Sequence, residues 1–136
     1  MAGTATITVK DLSNPSVPVL TETLSVTPST QSAEWVEYQG QQVSTSNPLT
    51  VSANTPVALT VANVDAAGNL LPVTSTQAGT NSYITVNLSD TNGGAYTLVP
   101  GGAPVTSVEI PVGQTSVTVY YVNATAKTIT GGLTAQ

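Results

Sequence analysis

The sequence predicts an all-β protein folded as a two-sheet sandwich of about seven to nine strands. Three observations carry that expectation. Apolar and polar residues alternate again and again with the two-residue period of a strand that buries one face, and hardly anywhere at helical spacing. The alternating runs are separated by turn-forming clusters: "NPSVP", "SNP", "DAAGN", "DTNGG", "PGGAP", "PVGQ" and "TGG". The composition is 40% hydrophobic but only 7% charged, with Thr and Ser supplying roughly a quarter of the chain, a bias that suits strands and turns. At 136 residues the chain is long enough for one domain with a substantial core.

Along the chain, "TATITV" turns Ala5, Ile7 and Val9 to one side, and "TLSVT" does the same with Leu24 and Val26. "SAEWVEYQGQQV" reads as a strand with a bulge, its single Trp35 capping one end of the core. "LTV" follows at positions 49 to 51. The strongest core strands come next: "PVALTVANV" with Val57, Leu59 and Val61 inward, "YITVNLS" with Ile84, Val86 and Leu88, and "SVTVYYV" with Val117, Val119 and Tyr121. Between them lie "AYTLV" near Tyr96 to Val99, and "VTSVEI" with Val108 and Ile110 inward. The prolines fall beside these runs rather than inside them, as their missing N–H requires.

Composition excludes several function classes. Two basic residues against seven acidic ones give a net charge of −5, which disfavours nucleic acid and anionic lipid, because phosphate recognition needs clustered Lys and Arg. No apolar run approaches the roughly 20 residues of a membrane-spanning helix. The absence of histidine and cysteine removes Ser-His and Cys-His catalysis, disulfides, and zinc sites with nitrogen or sulfur ligands. The carboxylates Asp11, Glu22, Glu34, Glu37, Asp65, Asp90 and Glu109 read as loop and strand-edge charges rather than as a hydrolytic pair. No enzyme activity and no required cofactor are expected. Asp65 with Asn69, and Asp90 with Asn92, are weak candidates for oxygen ligation of calcium, weighed against ordinary turn formation by the same residue types. Lys10 and Lys127, the only lysines, flank terminal strands where an amide cross-link to Asn or Asp is conceivable but easily mimicked by chance. Asn87-Leu88-Ser89 and Asn123-Ala124-Thr125 fit glycosylation acceptor patterns.

From Ser52 onward, the "TPVALTV" strand, the "DAAGN" turn, the "GGAY" entry, the "VTSVEIPVGQTSVTVYYVN" hairpin and a final Thr/Ile strand resemble tandem bacterial immunoglobulin-like repeats of surface-layer and cell-surface proteins. The resemblance covers about residues 45 to 131. It implies an immunoglobulin-like sandwich and a mechanical or spacing role in a surface layer, filament or stalk, on the outside of a bacterial or archaeal cell. Its partners would be other copies or neighbouring surface domains. Met1 to Asp11 lacks the basic start and apolar core of a secretory signal. The alternatives are an adhesin or carbohydrate-binding module using Trp35 with Tyr38, Tyr83 or Tyr96 as stacking platforms, and a decoration or tail domain of a virion.

One feature of order stands out within that resemblance. In such repeats a Thr/Ile strand is followed by an Asn/Pro-containing connection and a closing strand ending in "VTP". Here that order stands first: "TATITV", "KDLSNPSVPVLTE", "TLSVTP". At the other end "AKTIT" is followed only by "GGLTAQ". Residues 1–28 are therefore expected to be a strand segment that completes a sandwich formed by 29–136, either in a neighbouring subunit or in its own, unless a tandem array is simply interrupted there. The residues that would insert are Ala5, Ile7, Val9, Leu24 and Val26.

Overall fold

The computed structural model describes residues 3–26 and 33–136. Strand is the dominant element, and every ladder among the described residues is antiparallel. The protein is an all-β sandwich. One layer is a six-stranded sheet whose order is β4 (Gln41–Gln42), β3 (Ala33–Tyr38), β6 (Val57–Val64), β11 (Ser116–Asn123), β8 (Gly94–Thr97) and β9 (Pro104–Val105). The facing layer has β10 (Ser107–Pro111), β7 (Tyr83–Asp90) and β13 (Leu133–Ala135), in that order. A short pair, β12 (Lys127–Ile129) with β5 (Leu49–Val51), adds Leu49, Val51 and Ile129 to the core.

Strand alternation explains which residues meet between the layers. Leu59 and Val61 of β6, Val119 and Tyr121 of β11, Val86 and Leu88 of β7, and Val108 and Ile110 of β10 are buried in one cluster. Val57, Ile84 and Val117, from the outer ends of the same runs, are half-buried and pack against it. The β6–β11 register places Val61 opposite Val117 and Leu59 opposite Val119, so the inward faces coincide.

Three local expectations change. The "EWVEYQGQQV" stretch is not one bulged strand. Gln39 and Gly40 both take positive φ (54° and 78°) and close a two-residue hairpin between β3 and β4, with Tyr38 opposite Gln41. Trp35 does not cap the core: Val36 and Tyr38 face inward, so Trp35 and Glu37 stand on the outer face of the six-stranded sheet. The "AYTLV" strand ends at Thr97, leaving Leu98 and Val99 exposed. A single helical turn, α1 (Ser75–Ala78), also appears where no helical period exists. It is held by a capping box in which Thr74 and Gln77 exchange side-chain and backbone hydrogen bonds.

The N-terminal segment forms a hairpin of its own. β1 (Gly3–Val9) pairs along its full length with β2 (Leu20–Val26), from Gly3 opposite Val26 to Val9 opposite Leu20. In its connection the Asp11 carboxylate accepts from the Ser13 hydroxyl and from the N–H groups of Ser13 and Asn14, which lower its pKa. No other described strand pairs with β1 or β2. The expected boundary between residues 28 and 29 lies outside the described residues.

Candidate functional site

Three regions carry chemistry or unsatisfied surface. The first is the hairpin. Residues directly opposite in an antiparallel ladder share a face, so Ala5, Ile7 and Val9 of β1 lie with Leu24, Glu22 and Leu20 of β2. The other face carries Thr4, Thr6 and Thr8 against Ser25, Thr23 and Thr21. Of the five residues expected to insert into a sandwich, Ala5, Ile7, Val9 and Leu24 are therefore brought onto one surface; Val26 belongs to the same face by register, its side chain outside the description. That surface is bare: Ile7 is 53% exposed, Val9 59%, Leu20 59% and Leu24 53%. Isolated two-stranded hairpins are marginal in water, and among the described residues nothing covers the apolar face of this one.

A complementary feature lies on the sandwich. β10 ends its sheet. Leu88 N–H donates to Thr106 C=O (2.8 Å) and Val112 N–H to Ser82 C=O (2.9 Å), so even-numbered residues of this strand turn their backbone groups to β7. Ladder alternation then aims those of Ser107 and Glu109 at the open edge. Beside that edge runs a groove of about 480 Å³ lined by Thr85, Leu98, Val108, Glu109, Val117 and Thr118.

The second region gathers the polar residues at the end of β7 and β11. Asp90 accepts at Oδ1 from the backbone and side-chain N–H groups of Asn92 (2.8 and 2.9 Å). Its Oδ2 accepts from Gly94 N–H (2.6 Å) and the Tyr121 hydroxyl (3.2 Å). Burial alone raises the Asp90 pKa, but these donors together outweigh it and leave the group below the ordinary aspartate value. The Lys127 ammonium and the Asn123 amide both donate to Asn92 C=O, at 2.6 and 3.0 Å. Asn123 is buried, so the second glycosylation pattern is not on the surface, whereas Asn87 is exposed. Tyr96 stands edge-on to Tyr121 with ring centroids 5.5 Å apart, and donates its hydroxyl proton to Ser89 C=O. At 3% exposure it offers no stacking platform to a ligand; burial, then the nearby Asp90 charge and Tyr121, push its pKa up.

The calcium candidates are also brought together in pairs, yet their oxygens serve turns. Asp65 Oδ1 accepts from the N–H groups of Ala67 and Asn69 (both 2.9 Å), and Oδ2 from the Asn69 amide (2.8 Å). Asp90 and Asn92 are engaged as described above. Among the described residues no three acidic, histidine or cysteine groups cluster as metal ligands.

The third region contains Trp35, one of the expected stacking platforms, in a setting that sequence reasoning missed. On the outer face of the six-stranded sheet, Trp35 and Glu37 of β3 and Gln42 of β4 adjoin, since Glu37 pairs with Gln42. The Asp65–Asn69 turn folds over them. Gly68, at φ +79°, lies so close to the Trp35 ring that a Cβ there would stand 2.5 Å from Cζ3. The result is a groove of about 290 Å³ lined by Trp35, Glu37, Gln41, Gln42, Gly68 and Asn69. Glu37 is only 5% exposed, and burial raises its pKa. The "WVE" spacing puts an aromatic and an acid on one strand face; what covers that face depended on a turn thirty residues later. Tyr38 faces the core instead, and Tyr83 is half-buried at the start of β7.

No helix among the described residues is long and apolar enough to cross a membrane. No family model, curated protein or solved structure matches the chain.

Proposed function

We propose that the protein is a structural building block of a bacterial or archaeal surface assembly, joined to further copies of itself by its N-terminal hairpin. The observation that carries this reading is the hairpin's bare apolar face. The resemblance to immunoglobulin-like surface repeats, the scarcity of charge and the hydroxyl-rich composition support it.

The partner in this reading is a second copy, with β1 added to the open edge of β10. With Ile7 and Val9 turned towards the groove beside Val108, Val117 and Leu98, the Thr6, Thr8 and Lys10 positions fall on the same side as Ser107 and Glu109. With Thr8 opposite Glu109, Lys10 reaches Glu109 diagonally across the ladder, in a molecule that carries only two basic residues. Glu22, which interrupts the apolar face on β2, stays at the rim because β2 is the outer strand. Donor and acceptor surfaces differ, so repetition gives an open filament rather than a closed dimer.

Magnitudes limit the strength of one contact. Covering four half-exposed aliphatic side chains contributes roughly 1 kcal/mol each, about 4 kcal/mol in all. Association costs on the order of 4–15 kcal/mol in lost freedom, so the added ladder hydrogen bonds are required. The contact is weak pairwise and suits a crowded, anchored array.

Light scattering across a concentration series tests the reading. The wild-type chain should gain apparent mass with concentration up to roughly millimolar chain, and the Ile7→Asp/Leu24→Asp variant should remain monomeric. A wild-type chain that stays monomeric throughout sinks the proposal. Loss of assembly in the hairpin variant but not in Leu98→Asp would keep self-association and reject the β10 seat.

A further inference from the structure

The groove under the Asp65–Asn69 turn is independent of the hairpin and contains a buried acid without a complement. Glu37 is more than nine-tenths buried, and no hydrogen-bond donor among the described residues reaches its carboxyl. No fully buried side-chain oxygen or nitrogen among the described residues lacks a partner. The Glu37 oxygens are therefore not sealed in, and they open into the groove that the residue lines.

A carboxyl held this way is costly, because removing it from water disfavours its charged form and nothing in the fold returns the loss. Among the described residues no cation lines the groove. Glu34, the other charged residue of β3, points to the opposite sheet face, and the Asp65 carboxylate of the covering turn adds a further negative charge. Of the two lysines, Lys127 donates to Asn92 C=O at the far end of the sandwich, and Lys10 lies on the hairpin. The remaining walls come from Trp35, from the β3–β4 hairpin at Gln41 and Gln42, and from Gly68 and Asn69 of the turn.

We propose that this groove binds a primary ammonium group on an aliphatic stem, with Glu37 as counter-ion, Trp35 as the aromatic wall along the stem, and the amide oxygen of Gln42, directly opposite Glu37, as a further acceptor. An ammonium restores to Glu37 the charge partner it lacks and is attracted by the indole face. A neutral polyol supplies hydrogen bonds but no charge, and so recovers less of the burial cost. A site built on strand β3 and roofed by a turn that Asp65 pins at three N–H groups is ready-made for a small head group. The same head occurs on a free alkylamine and on a lysyl side chain of a peptide.

Trp35 is the only tryptophan of the chain, so its fluorescence reports the site directly. The probes are n-butylammonium, Nα-acetyl-lysine methylamide, the uncharged norleucine analogue of the latter, and methyl glucoside, each titrated from acidic to neutral pH. Both amines should shift the Trp35 emission, and their affinity should rise with pH as Glu37 ionises. Glu37→Gln should weaken them roughly tenfold, the scale of one charged hydrogen bond, while the circular dichroism spectrum stays native. Tighter binding of the acetyl-lysine probe than of butylammonium assigns the site to peptide lysine, and the reverse assigns it to a free amine. If Glu37→Gln does not fold, the carbon resonance of the Glu37 carboxyl in the wild-type chain replaces it: bound amine should lower its pKa. Equal binding of the norleucine analogue, preference for the glucoside, unchanged affinity in a folded Glu37→Gln, no fall in the Glu37 pKa, or no response to either amine overturns the proposal.

Discussion

Replacing Gly68 by alanine separates two contributions that are usually confounded. Gly68 has φ +79°, which costs an alanine roughly 1–2 kcal/mol. A Cβ there also stands 2.5 Å from Cζ3 and 3.0 Å from Cη2 of Trp35, so the ring must retreat by on the order of 1 Å from ordinary contact. The ring rests on a sheet strand between the turn and the Glu37 groove. Displacing it adds about 1–3 kcal/mol, the usual cost of overpacking, for a total of roughly 2–5 kcal/mol. Gly40 supplies the control, since its φ is +78° and a Cβ there meets nothing within 4 Å. Gly40→Ala should show the backbone cost alone. Urea denaturation followed by circular dichroism gives both differences, and Trp35 emission shows whether the ring has moved. If Gly68→Ala and Gly40→Ala lose the same stability and the emission of the former is unchanged, the turn does not press on Trp35 and the groove lacks the roof described here.

Two further outcomes follow from the core and the Asp90 network. Val119→Ala, at a fully buried position opposite Leu59, should lower the stability of the sandwich by about 1–3 kcal/mol; an unchanged urea midpoint would show that the inward face of β11 is misassigned. Asp90 has a lowered folded-state pKa, so its contribution is present above the unfolded-state value and is lost as pH falls through the folded one. Asp90→Asn should therefore flatten the acid limb of stability against pH, and an acid limb identical to that of the wild type contradicts the network.

Much of the sandwich was legible in the sequence because its strands bury one face each. Val57–Val61, Ile84–Leu88 and Val117–Tyr121 show the alternation without interruption, and their inward residues meet across the core. The apolar face of the hairpin was legible for the same reason. What escaped was set by contacts distant in sequence or by weak local signals. Gln39 in a positive-φ position is an uncommon turn residue, which hid the β3–β4 hairpin. Thr74 and Gln77 fit a capping box, but four helical residues carry no period. Tyr96 alternates as any strand aromatic does, and its burial follows from Tyr121 lying edge-on beside it. Asp90 and Asn92 have the composition of a cation loop, yet the donors that occupy Asp90 include Tyr121 from another strand. Trp35 and Glu37 could not be joined to Gly68 until the "DAAGN" turn was seen to fold back over β3.

Cross-linking tests the central claim, that β1 of one copy lies along β10 of the next. The chain contains no cysteine, so single cysteines can be placed without background. Thr8→Cys chains are mixed with Glu109→Cys chains under mild oxidation, and Thr128→Cys, at an exposed position on β12, provides the control partner. The account predicts that a Thr8–Glu109 disulfide dimer forms well ahead of the Thr8–Thr128 one, and that Ile7→Asp/Leu24→Asp in the Thr8→Cys chain abolishes the advantage. Equal rates with both partners, or an advantage that survives loss of the apolar face, would contradict it.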